Sequence, residues 1–209
     1  MIRRIKPEIR ILGFDDGAFE PRSNSSVPVI GVIFRGGKFL DGAVKTDVMV
    51  DGMDATEKIV KLINSTRHKQ QLKVIMLDGI TVAGFNVIDI KQLHEKTGIP
   101  IIVINRKMPD IKKVEAALKN LDNFAERWQA IENAGEIKQA AVNMSGRSMS
   151  DVGVDVEQRK IYFQAVGLDD MKAREIIRIS TTHSYIPEPL RVAHLIAEAV
   201  TKGESGGRA

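Results

Sequence analysis

Lys73-Val74-Ile75-Met76-Leu77-Asp78-Gly79 is a lysine, four apolar residues and an Asp-Gly pair. A short apolar run bounded by a charge and a turn signal reads as a buried strand. Such a strand delivers Asp78 to a sheet edge, and we take that carboxylate as the centre of a divalent-metal site. The flanks extend the pattern. A basic, polar loop at Arg67–Gln71 leads into the strand, a helical pattern around Val87–Lys96 closes at Gly98, and Pro100–Asn105 is the next apolar run. The order is β-α-β, which makes the two strands parallel with a right-handed crossover.

Upstream, Ile9–Phe19 reads as a strand ending in a polar turn, and Pro21–Pro28 as a loop. Val29–Phe34 and Phe39–Val50 are β-forming runs joined by the hairpin turn Arg35-Gly36-Gly37-Lys38, so the first three strands form an antiparallel meander. From Asp54 the period becomes helical, with Ile59, Val60 and Ile63 on one face. Asp54-Ala55-Thr56-Glu57 resembles a capping box with the aspartate in the cap position. Downstream the pattern predicts helices at 110–121 and 122–133, a loop at 143–159, a strand at Lys160–Val166 and helices at 168–178 and 187–201. Residues 203–209 are small and polar and are expected to form a disordered tail. No repeat or linker interrupts the chain, which predicts one domain over 1–209. Three hairpin strands followed by β-α-β give the order of an RNase H-like mixed α/β sheet, 3-2-1-4-5, flanked by helices. Plain β-α alternation would be needed for a Rossmann or flavodoxin-like sheet.

The bulk composition narrows the classes. Hydrophobic residues make up 43% and charged residues 28%, which suits a globular protein and not a disordered one. No apolar run approaches the roughly 20 residues that span a bilayer, and no apolar signal core follows Met1–Pro7. The expectation is therefore no membrane, no export and a cytoplasmic location. The absence of cysteine excludes disulfides, zinc–thiolate sites and thiol catalysis. A net charge of +4 permits a polyanionic partner without requiring one. Aromatic content of 5% argues against an extensive base-stacking platform.

Four carboxylates fall at strand exits or a helix start. Asp15 and Asp16 end the first strand, Asp54 opens the first helix, and Asp78 ends the fourth strand. Strands one and four are neighbours in the expected order, so Asp15 and Asp78 can approach, with Asp16 as the alternative to Asp15. Clustered carboxylates repel unless a cation neutralises them, and Mg²⁺ or Mn²⁺ is the natural one. Each aspartate also has a structural reading: Asp16-Gly17 and Asp78-Gly79 as turns, Asp54 as a cap. Pro187, Glu188 and Pro189 suit the entry and first turn of the last helix. His183 before it is either an acid/base or substrate contact or a hydrogen-bonded loop residue. His194 lies inside the helix and reads as structural. Arg106 and Lys107, just past the fifth strand, either meet a phosphate or are solvated. The phosphate-loop pattern GxxxxGK[ST] is absent.

Gly13–Phe19, Leu77–Asn86 and His183–Arg191 closely resemble an archaeal domain-of-unknown-function family, number 99, itself regarded as related to endonuclease V in the RNase H-like superfamily. The resemblance to the archaeal family spans almost the whole chain; that to endonuclease V is remote. The Gly-x-Asp of endonuclease V falls on Gly13-Phe14-Asp15, its helix-start glutamate on Asp54, and its Asp-Gly on Asp78-Gly79. Its lysine falls on Arg106, and its late Gly-His on Thr182-His183. The resemblance thus implies a Mg²⁺ site at Asp15, Asp54 and Asp78 supported by His183. Two departures stand out. Lys45–Gly52 carries no aromatic or proline in place of the Pro-Tyr-Ile-Pro wedge, and Ile80–Asn86 is far less basic than its counterpart. The first expectation is a metal-dependent nuclease or phosphodiesterase acting on DNA or RNA. The alternatives are a non-catalytic nucleic-acid-binding protein that kept the fold, and a hydrolase of a small phosphorylated metabolite.

Overall fold

The computed structural model describes residues 2, 4–142 and 159–206. Its centre is β1 (Arg10–Asp16), which pairs antiparallel with β2 (Ser26–Arg35) and parallel with β4 (Val74–Asp78). Outward from β2 lies β3 (Phe39–Met49), antiparallel; outward from β4 lies β7 (Ile101–Asn105), parallel. This is the expected 3-2-1-4-5 order, with β7 as the fifth strand. Two antiparallel strands complete the sheet: β9 (Arg159–Val166) beside β7, and β8 (Lys138–Val142) at the edge. The strand expected at Lys160–Val166 is present, whereas β8 has no counterpart in the sequence reading. The loop expected at 143–159 lies outside the described residues, apart from Arg159, which opens β9.

Helices cover both faces. On one, α1 (Ala55–Ser65) and α2 (Ile90–Thr97) pack on Leu12, Phe14, Ile75 and Leu77. On the other, α5 (Asp170–Ser180) and α6 (Glu188–Lys202) cover Ile11, Val74 and Met76 together with Ile30 and Val32. The unbroken apolar run of β4 follows from this sandwich, because alternate side chains enter different cores. α3 (Ile111–Leu118) and α4 (Phe124–Asn133) fall where the sequence predicts them and pack on the end of the α1/α2 layer. No described helix is long and apolar enough to cross a membrane.

One expected boundary shifts. The helix expected from Val87 begins only at Ile90, because Asp89 is its cap and accepts the Gln92 N–H at 2.9 Å. The residues before it form a small hairpin, β5 (Thr81–Val82) with β6 (Asn86–Val87). In the stretch expected to form a disordered tail, the Gly206 N–H donates to Glu198 at 2.9 Å; residues 207–209 lie outside the described set.

Candidate functional site

The parallel strands β1, β4 and β7 all exit at one end of the sheet, and the candidate site is there. The β1/β4 register runs to Phe14 opposite Leu77, so Asp15 and Asp78 follow as the next residue on each neighbouring strand. They share parity, and both face the α6 layer. Asp16 points to the opposite face, where its Oδ2 accepts the Ala83 N–H of the β5–β6 hairpin at 2.7 Å. The strand pleat therefore selects Asp15 over Asp16 as the partner of Asp78. Asp15 is only 7% exposed. Burial, with the charges of Asp78 and Asp16, pushes its carboxyl from 3.8 up to about 8. Burial likewise raises Asp16, against the hydrogen bond from Ala83.

A further side chain reaches Asp15 from a helix position that reads as structural in the sequence. His194, from the interior of α6, places Nδ1 2.8 Å from Asp15 Oδ2, while Oδ1 of Asp15 accepts the Asp16 N–H at 2.9 Å. Two close approaches seat α6 on β1. A Cβ on Gly13 would lie 2.6 Å from the carbonyl carbon of Pro189, and one on Gly17 would lie 2.4 Å from Thr201 Cγ2. Bare backbone at these two points lets α6 run along β1 in the same direction, with His194 above Asp15. Gly13→Ala should accordingly cost about 1–3 kcal/mol of stability in thermal or urea unfolding, because Pro189 presents rigid backbone to the added methyl. The sequence held a faint signal for His194. It falls on the stripe of Leu190, Ala193 and Ala197, all fully buried, where a polar residue needs a partner.

The same direction of α6 places His183 away from Asp15. Thr182 donates to the Gly37 carbonyl at 2.9 Å, and Gly37 lies in the β2–β3 turn beside the start of β1. By strand rise that is roughly 20 Å from Asp15. The His183 ring contacts Thr182 Oγ1 at 2.9 Å and lies 3.5 Å from Glu188, and its side chain is 70% exposed. The histidine before the helix thus braces a loop at the far end, and the one within the helix reaches the carboxylates.

Asp54 is at the correct end but engaged elsewhere. It occupies the cap position of α1 without making a cap hydrogen bond. Its carboxylate accepts from Asn86 Nδ2 at 2.7 Å and Met49 N–H at 3.2 Å, and pairs with Lys58 at 2.8 Å. Burial opposes its charge, but these contacts outweigh burial and hold it below the usual carboxylate range. Asn86, fully buried, takes over the cap by accepting the Ala55 N–H at 3.1 Å. The expected capping box is therefore replaced by an asparagine from the hairpin. Among the described residues, no group of three His, Asp or Glu side chains forms a metal cage.

Arg106 lies two residues past Ile104, the β7 partner of Asp78, and its Nη2 is 3.1 Å from Asp78 Oδ2. Lys107 follows, exposed. The donor set suits a hard divalent ion: two adjacent carboxylates, one holding its proton only because burial and neighbouring negative charge favour the neutral form. Mg²⁺ and Mn²⁺ accept few protein ligands and fill the remainder with water.

The family model described as Endonuclease dU matches residues 7–201. The UPF0215 protein of Methanothermobacter thermautotrophicus is 50% identical over 209 residues, covering 99% of this chain and 95% of the relative. The crystal structure of a protein of unknown function from Archaeoglobus fulgidus superposes with TM-score 0.77 at 33% identity, covering 92% of this chain and 98% of that one. Endonuclease V of Ciona intestinalis, solved with DNA containing an inosine followed by a ribo-adenosine, shares the fold at TM-score 0.53 and 14% identity, over 88% of this chain and 82% of that one.

Proposed function

The chain belongs to the endonuclease dU family, and on that premise we propose that it is a divalent-metal-dependent nuclease centred on Asp15 and Asp78. The observation that carries this reading is the pairing of Asp15, buried at a strand exit, with Asp78 at the exit of the neighbouring parallel strand; burial and Asp78 together push the Asp15 carboxyl up to about 8. An arrangement so unfavourable to a carboxylate is a common mark of a working site. Asp15 and Asp78 would hold the ion, whose Lewis acidity would act on the phosphodiester. His194 positions Asp15: its Nδ1 lies against Asp15 Oδ2, and an Nδ1–H there donates to the ionised carboxylate. Arg106, with a side chain 43% exposed, presents its guanidinium beside the carboxylates to meet a substrate phosphate, and Lys107 extends that charge.

The family's description makes deoxyuridine-containing DNA the first substrate to try. The inosine-containing DNA bound by the Ciona protein makes deoxyinosine the second. With Mg²⁺ or Mn²⁺ present, the protein should nick one of these, and Asp78→Asn should slow cleavage by at least about a thousandfold. Equal cleavage by the variant, or no cleavage of modified DNA or of RNA, would overturn the reading. The engagement of Asp54 by Lys58, Asn86 and Met49 favours a second reading, a non-catalytic nucleic-acid binder. There, Asp78→Asn leaves binding intact, and affinity falls steeply with salt.

A further inference from the structure

The opposite end of the sheet, where β1, β4 and β7 begin, opens into a cleft of about 1060 Å³. That volume is at the upper end of what small-molecule sites enclose. β4 is five residues long, so the cleft is roughly 17 Å from the carboxylates and cannot share a small ligand with them. Its charge is of the opposite sign. Arg4, Lys6, Arg10 and Lys73 line it against one acid, Glu8. Arg10 is committed to Asp41 at 3.2 Å, while no ion pair among the described residues engages Arg4, Lys6 or Lys73.

Three features distinguish the cleft from an ordinary solvated basic face. It is concave. Its floor includes the nearly buried apolar residues Ile9, Leu72 and Ile99. His94 also lines it, with Nδ1 donating at 2.9 Å to the Ile99 carbonyl; with the proton on Nδ1, Nε2 is the acceptor of the neutral ring. A cationic rim, an apolar floor and one oriented acceptor together match an organic phosphate with a flat body and a hydroxyl or amino donor. We propose that this cleft binds a nucleotide, with its phosphate on Lys6 and Lys73, its base or sugar on Leu72 and Ile99, and a donor group to His94.

The test is isothermal titration of the full chain with adenosine 5′-monophosphate in EDTA, which keeps divalent ions off the distant carboxylates. Inorganic phosphate and a short single-stranded oligonucleotide serve as separate probes. The nucleotide should bind the wild type. K6E/K73E should weaken that binding at least about tenfold with an unchanged melting temperature, since both side chains are exposed. Asp78→Asn should bind like the wild type. Any one of four results would overturn the proposal: no nucleotide binding; equal affinity in K6E/K73E; loss in Asp78→Asn; or phosphate alone binding as tightly as the nucleotide. Lysine-dependent binding of the oligonucleotide without the nucleotide would also overturn it, assigning the cleft to nucleic acid instead.

Discussion

Asp15→Asn is expected to stabilise the metal-free protein at pH 8 while abolishing cleavage. The sign follows from proton linkage. Folding raises the Asp15 carboxyl from 3.8 to about 8, so between those values the folded chain holds a proton that the unfolded chain has released. Stability therefore falls as pH rises through this window, by up to about 1.4 kcal/mol per pH unit, and levels off above it. Below the window both states are protonated and the effect vanishes. Asparagine keeps the shape and cannot ionise, so the variant should lack this slope and exceed the wild type by several kcal/mol near pH 8. Parallel melting curves between pH 5 and pH 8 decide it. Identical pH dependence in the two proteins would mean that Asp15 ionises freely. A residue whose removal stabilises the fold and destroys activity is kept for its chemistry, and a purely structural aspartate would show neither effect.

The second large effect is expected where α4 meets the β5–β6 hairpin. Arg127, only 3% exposed, donates to the carbonyls of Asp122 at 2.9 Å, Gly52 at 3.0 Å and Asp51 at 2.7 Å, and also to that of Phe85. It ties α4 to the turn after β3 and to the β5–β6 hairpin. Asp51 stands in that turn with a φ of 50°, its Oδ1 accepting the Phe85 N–H at 2.8 Å. Arg127→Met leaves four carbonyls without their donor and should cost about 3–5 kcal/mol. For a chain of this size that lowers the melting temperature by roughly 10 °C. Arg127→Lys should be nearly as damaging, since one ammonium cannot reproduce the planar fork. A loss below about 1 kcal/mol in both variants would show that water replaces the guanidinium freely.

The contrast between these two sites shows what the sequence could reveal. The β4 run and the meander before it are long patterns with a single reading, and they located Asp78, Asp15 and the strand order. The β5–β6 hairpin has two residues per strand, too few for any period to register. β8, Lys-Gln-Ala-Ala-Val, has only one β-branched residue and becomes a strand by pairing with β9. Asp54 fitted a local capping rule that was overridden when Asn86, 32 residues away, supplied the cap. The two histidines differ for a related reason. Motif position points to His183, but the direction of α6 along β1 brings His194 to Asp15, and that depends on the bare backbone of Gly13 and Gly17. Long periodic patterns were readable, strand order included. Side-chain contacts between elements distant in sequence were not.

The most direct test of the central claim is a crystal soaked in Mn²⁺ and measured for anomalous scattering. The account predicts an ion ligated by carboxylate oxygens of both Asp15 and Asp78, lost in Asp78→Asn. A crystal with no ion there, with Asp15 still closed on His194 and Asp78 still closed on Arg106 at saturating Mn²⁺, would contradict it.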